Sequence, residues 1–241
     1  MAVVADVVER LRAVESSAEA SDGIVCFARL YREVTESVGA ELVASTFANA
    51  TFLEQLDVAF ADLFFEALAG FARDPALVPD AWVPLFASRS RRGIAPLQFA
   101  FAGMNAHINR DLPIVLVAIC ETRGVELRRG SPEHADFERV NDLLARVEER
   151  IKQSYLHGWV AWLDRIVHRV HRLDDVIAMW DIRVAREAAW TNAETLWAVR
   201  GDPAMRADFV RTLDRTVGLA GRGLLVPADT WLRRLARKLG A

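Results

Sequence analysis

Residues 51–72 read TFLEQLDVAFADLFFEALAGFA. At about 100° per residue, Leu53, Leu56, Phe60, Leu63, Phe64, Ala67 and Phe71 fall on one side of a helix, with Asp62 and Glu66 opposite. The same period runs through nearly the whole chain, and strand-like alternation is almost absent. Helices are expected at about 2–19, 22–38, 51–72, 95–120, 132–151, 154–173, 174–199, 203–218 and 228–239. Local signals mark several starts. Thr51 and Glu54 fit a capping box. Ser131-Pro132 and Asp202-Pro203 each place a cap before a proline at the first helical position. Gly39, Gly201 and Gly221 stand where helices can end. The pattern breaks most clearly over 73–94, with Pro75, Pro79 and Pro84, then Ser88-Arg-Ser-Arg-Arg-Gly93. That segment is expected to be mainly loop, with one short helix near Trp82. Without an internal repeat or a low-complexity linker, residues 1–241 are read as one all-α domain. It is a multi-helix bundle of about nine helices around a central helix that contains polar residues.

Composition narrows the function classes. The chain has 241 residues, of which 52% are hydrophobic, and its net charge is −3. A sequence pI near 6.0 gives no global attraction to nucleic acid. No apolar run reaches the roughly 18 residues a membrane span requires. The opening MAVVADVVERLRAVE carries acids and arginines and reads as an amphipathic helix, not a signal peptide. Cys26 and Cys120 lack metal-site spacing and fit buried free thiols in a reducing, cytoplasmic compartment.

Asp57 stands out on the 51–72 helix because it falls among Leu53, Phe60 and Phe64. A carboxylate in such a place needs a partner or becomes protonated. It is either a structural acid or a functional one.

The stretch Gly103-Met-Asn-Ala-His-Ile-Asn-Arg-Asp-Leu-Pro113 inserts Asn105, His107, Asn109 and Asp111 into an otherwise apolar run from Leu97 to Cys120. Burying such groups unpaired costs roughly 1–3 kcal/mol each. His107 and Asp111 are spaced i,i+4, so they can touch, and an aspartate beside an imidazole fixes its tautomer. Pro113 removes a helical hydrogen bond near Asn109 and is expected to bend the helix. Asn105 projects to the other flank.

Further candidates are spread along the chain. Asn141 borders the apolar face of the 132–151 helix. The 174–199 helix looks apolar on two sides: Ile177, Trp180, Val184 and Ala188 on one, Met179, Ile182, Trp190, Ala193 and Trp197 on the other. Arg186 lies among the second set and can balance Asp57 or Asp111, or bind an anionic substrate. His157, Asp164, His168, His171 and Asp175 form a stripe with metal-compatible spacing. Arg165, Arg169 and Arg172 flank it, which favours a solvated face. The SRSRRG loop is expected to be solvated. The basic amphipathic segment 228–239 is expected to pack on the bundle or on a second subunit, so a homodimer is an expected assembly.

The segment GMNAHINRDLP resembles the core of an uncharacterised, largely actinobacterial family of helical proteins. The acidic-aromatic helix from Asp57 to Phe65, the Trp82 region, Val140-Asn141 and Arg186-Glu-Ala-Ala-Trp190 extend the resemblance over most of the chain. It implies an all-helical fold and carries no activity with it.

Function therefore rests on the residues. The expectation is an enzyme with a pocket between helices, acting on a lipophilic or partly anionic small molecule by acid–base chemistry. His107 is the acid or base, Asp111 orients it, and Asp57 is a second carboxyl group. Asn105, Asn109, Asn141 and Arg186 bind substrate, with Met104 and Trp180 shaping the wall. Hydrolysis, with or without a metal, and cyclisation or isomerisation fit the same set. No cofactor is required by the sequence. If a metal binds, Asp57, His107 and Asp111 are the expected ligands, and their oxygen-rich set suits Mg²⁺ or Mn²⁺. The competing class is a non-catalytic ligand-binding or oligomerisation protein, in which these groups only satisfy one another.

Overall fold

The computed structural model describes residues 2–42, 47–144 and 181–227, and among them every regular element is a helix. The helices are α1 (Ala2–Ser16), α2 (Gly23–Leu42), α3 (Ala50–Arg73), α4 (Val83–Ser88), α5 (Pro96–Ala106) and α6 (Leu112–Arg123). They continue as α7 (132–144), α8 (Ile182–Ala198) and α9 (Pro203–Leu224). No described helix is long and apolar enough to cross a membrane.

The fold is organised around α5 and α6. A π-helical turn, His107–Asp111, joins them, closed by the Leu112 N–H donating to the His107 carbonyl. This central rod is touched by α2, α3, α4, α8 and α9, while α1 packs on α2 and α3. Buried side chains from α1 to α9 form one contiguous apolar cluster, with Phe27, Phe64, Trp82, Phe86, Leu116 and Trp190 fully buried. The bundle built around a polar-containing central helix is thus the arrangement found.

Several local expectations change. The helix expected over 95–120 is interrupted by the π turn. Pro113 has no N–H to donate to the Asn109 carbonyl, so the ladder cannot run through that point as a regular α-helix. The cap of α3 is Asn49, not Thr51: the Asn49 side chain accepts from the Phe52 N–H at 3.1 Å. Buried Asp136 on α7 fixes the approach, accepting the N–H groups of Ala48 (3.0 Å) and Asn49 (2.6 Å). Asp202 caps α9, and the Ser131 hydroxyl accepts from the His134 N–H, as the Pro-flanked signals implied.

Gly39 and Gly221 are not helix ends. Both lie inside helices. A Cβ on Gly221 would stand 3.3 Å from Pro84, and one on Gly218 would stand 2.5 Å from the Asp80 carbonyl oxygen. These glycines let α9 press against the 80–84 segment. Segment 73–94 is largely irregular and contains a short 3₁₀ turn at Pro75–Leu77 and then α4, next to Trp82.

Helix α8 begins at Ile182 because Asp181 is extended and caps it, accepting from Arg183 and Val184. A single helix over 174–199 is therefore excluded. Its two-sided apolar reading also falls: Trp190, Ala193 and Leu196 are fully buried, while Val184 is 64% exposed. The 154–173 helix, Trp180, the His157-to-Asp175 stripe and the 228–239 helix lie outside the described residues. In the SRSRRG loop, Arg89 pairs with Asp22, which caps α2, and Arg91 and Arg92 are exposed.

Candidate functional site

The π turn places His107 and Asp111 on the inner side of the rod, and both side chains are essentially without solvent contact. His107 Nδ1 lies 3.2 Å from Asp111 Oδ2. The same oxygen accepts the Trp82 Nε1–H at 3.0 Å. Asp111 Oδ1 accepts from Arg110 at 2.8 Å. Asp214 on α9 stands 3.5 Å from the Arg110 Nε and accepts the N–H groups of Asp80 and Ala81. Thus the backbone just before Trp82, the guanidinium of Arg110 and the carboxylate of Asp111 belong to one network.

This network assigns the histidine tautomer. Asp111 is an acceptor, so the hydrogen sits on Nδ1 and the lone pair on Nε2. Nε2 is buried and has no hydrogen-bond partner among the described residues. Burial pushes the His107 pKa below the ordinary histidine range, and the hydrogen bond to Asp111 opposes that only in part. The ring is neutral and carries a free basic nitrogen.

Aromatic side chains hold the ring in place. Phe60 of α3 stacks on it, with centroids 3.5 Å apart, and Tyr31 of α2 meets it edge-on at 4.7 Å. Phe27 and Trp82 complete the surround at 5.9 Å each. The Tyr31 hydroxyl is also buried without a partner among the described residues. Burial and the nearby carboxylates Asp57 and Asp111 raise its pKa, so it stays a neutral donor.

His107 and Tyr31 line a cavity of about 90 Å³. Its walls are mainly apolar, from Leu53, Leu56, Met104, Ile108, Leu112 and Val140 among others. Two charged residues also line it: Asp57 of α3 and Arg186 of α8. Asp57 is half-buried and makes no hydrogen bond or ion pair among the described residues. Burial pushes its pKa up to about 6, with Arg186 pulling the other way. Arg186 is buried; its Nε donates to Asn141 Oδ1 and its guanidinium lies 4.2 Å over the Phe137 ring. Burial lowers its pKa to about 10, opposed by Glu138 and Asp57, so it remains a cation at neutral pH.

The cavity therefore gathers Asp57, His107, Met104 and Arg186 from four separate elements. Asp111 stands behind His107, and Asn141 stands behind Arg186. Asn105 and Asn109 are turned elsewhere: Asn105 Nδ2 donates to the Val217 carbonyl at 3.0 Å, and Asn109 donates to Asn105 Oδ1. They join the rod to α9 and do not line the cavity. Trp180 falls outside the described residues. Asp57, His107 and Asp111 do not form a metal-ligand set. No three His, Cys, Asp or Glu side chains converge for a metal among the described residues.

Three participants were not singled out from the sequence: Trp82 as a donor to Asp111, Phe60 as the cover of His107, and Tyr31. Phe60 and Tyr31 look like ordinary core aromatics in a helical pattern. Only the position of Trp82 in the one long break of that pattern set it apart.

No curated protein and no solved structure matches this chain. A family model does, over residues 4–227, a span that includes every side chain of the cavity described above. On that match the chain belongs to the family of unknown function DUF5995.

Proposed function

We propose that this protein is an enzyme that performs acid–base chemistry on a lipophilic, partly anionic small molecule bound among α2, α3, the rod and α8. The observation that carries the reading is the buried, unpartnered Nε2 of a neutral histidine backed by Asp111 and lining an apolar cavity. A base with a free lone pair in a site of low polarity accepts a proton from a substrate carbon or from an attacking water. Asp111 then stabilises the imidazolium that forms. Asp57, with its pKa near the operating pH, supplies or takes the second proton. Cyclisation or isomerisation and water-mediated hydrolysis both fit this pair of groups. The Thr35 hydroxyl on the lining is engaged with the Tyr31 carbonyl. Buried free Cys26 and Cys120 fit a reducing, cytoplasmic setting.

A second reading is a non-catalytic carrier. It is favoured by the apolar lining and by Phe60, which covers one face of the imidazole. The two readings part on one experiment. Lipophilic esters, enones and carboxylic acids are incubated with the protein and turnover is followed by mass spectrometry, in parallel with His107→Gln. The enzyme reading expects turnover that falls by about 10²–10⁴-fold in the variant. Binding without turnover in both proteins would leave the carrier.

A further inference from the structure

The cavity carries two charges of opposite sign that do not touch. Arg186 has no carboxylate within ion-pair distance among the described residues. Its Nε is taken by Asn141 and its face by Phe137, which leaves the terminal nitrogens of a guanidinium bordering the cavity without a hydrogen bond among the described residues. A buried cation without a contacting anion is costly, and an anion arriving from outside removes that cost. Asn141 is itself held, donating to Glu138 at 3.1 Å, so the guanidinium is fixed in orientation before any ligand binds.

We propose that the cavity binds a lipophilic monocarboxylic acid, with its carboxylate received by the two terminal nitrogens of Arg186 and its apolar body lying along Leu56, Phe60 and Leu112. This rests on reading the cavity as the substrate site, and it names the substrate class for that site. The planar guanidinium fork matches a carboxylate with two parallel hydrogen bonds. One positive charge matches one negative charge. A dianionic phosphate head would be under-neutralised, because Arg186 is the one cation lining the cavity among the described residues. The other charges nearby are accounted for. Glu138 on α7 lies on the Asn141 side of the guanidinium, and Arg183 pairs with Asp142 outside the cavity. His107 and Tyr31 are neutral. Asp57 is the one acid on the lining among the described residues, and burial raises its pKa to about 6, toward its neutral, hydrogen-donating form. That neutral form prevails below about pH 6 and does not repel an incoming carboxylate.

The test is calorimetric titration of the full chain at pH 5.5, where Asp57 is mainly protonated, with decanoate, decanol, decylamine and decyl phosphate, each below its micelle concentration. Decanoate is expected to bind one to one, about 10- to 100-fold more tightly than decanol, as two charge-assisted hydrogen bonds imply. Arg186→Gln is expected to bring decanoate down to the affinity of decanol and to leave decanol unchanged. Arg186→Lys keeps the charge without the fork and is expected to fall between. If Arg186→Gln does not fold, the four-ligand series on the unaltered chain still decides. Equal binding of decanoate and decanol would overturn the carboxylate assignment while keeping the cavity as a site for neutral lipophiles. Tightest binding of decylamine or decyl phosphate, or no binding of any ligand, would also overturn it. Decanoate binding that survives in His107→Gln, in a protein without turnover, would sink the enzyme reading and leave this inference standing.

Discussion

Phe60 lies flat on His107, with ring centroids 3.5 Å apart and planes 7° from parallel. One residue comes from α3 and the other from the π turn, so the contact ties the candidate base to the helix that carries Asp57. It also keeps water off one face of the imidazole. Burial is the main cause of the lowered His107 pKa, and Phe60 supplies part of that burial.

Phe60→Ala should therefore raise the His107 pKa toward the ordinary histidine range. The measurement is an NMR titration of the ring ¹⁵N shifts, which also reports the tautomer. In the unaltered protein the Nδ1–H form should persist below pH 6.5. The sign for stability follows. His107 has a lower pKa folded than unfolded, so the unfolded chain takes up more protons. Its contribution is complete above the unfolded value near 6.5 and is lost as pH falls through that value toward the folded one. Phe60→Ala should flatten this fall. A ring that titrates unchanged after Phe60 is removed would reject the desolvation account.

Asp57 works in the opposite direction. Its pKa is higher folded (about 6) than the 3.8 of an ordinary aspartate, so the folded chain holds more protons between those values. Stability is lost as pH rises from about 4 through 6. Asp57→Asn removes that loss. It should stabilise the protein at pH 8 by about 1–2 kcal/mol, allowing for partial exposure, and should make little difference at pH 4. Urea melts at the two pH values check it. A variant much less stable than the parent at pH 8 would mean that Asp57 has a structural partner.

Asp111 accepts from Trp82, His107 and Arg110 at once. Asp111→Ala strands all three donors and should cost on the order of 3–5 kcal/mol, as removal of one partner from a buried charged network does. Trp82 emission should shift in the same variant, because its indole N–H loses its acceptor. Loss under about 1 kcal/mol would show that the network is not closed around Asp111.

Two glycine-to-alanine changes should have opposite signs. A Cβ on Gly103 would lie 2.3 Å from ring carbons of Phe27, which is itself packed against Phe64 and Trp82. Gly103→Ala should destabilise by about 1–3 kcal/mol through overpacking. Gly70 lies within α3 with nothing within 4 Å of its Cβ position. Gly70→Ala should stabilise by about 0.5–1 kcal/mol from helix propensity. Denaturant midpoints of the two variants check both.

What could be read directly from the chain was whatever depends on neighbours within one or two helical turns. The 3.6-residue period of 51–72 gives a helix with Leu53, Leu56 and Phe64 buried. The i,i+4 spacing brings His107 to Asp111. Asp202 before Pro203 caps α9, and Pro113 marks the point where the rod departs from α-helical form. Each of these is a local matter of backbone geometry or short-range hydrogen bonding, and the residue types alone decide it.

What only the tertiary structure decided was which distant groups meet. Asn49 displaces Thr51 as a cap because Asp136, 87 residues further on, holds its backbone N–H. Asn105 turns from the cavity because the Val217 carbonyl is 112 residues away in sequence and 3.0 Å away in space. Trp82 reaches Asp111 across 29 residues, and Asp57 and Arg186 come to share one cavity from α3 and α8. A helical period tells which face of each helix is apolar but not which helix covers it. A buried polar group must find a partner, and its own segment does not say which. The packing of α8 and α9 against the rod settled that choice, and with it which polar residues are held by partners and which line the cavity.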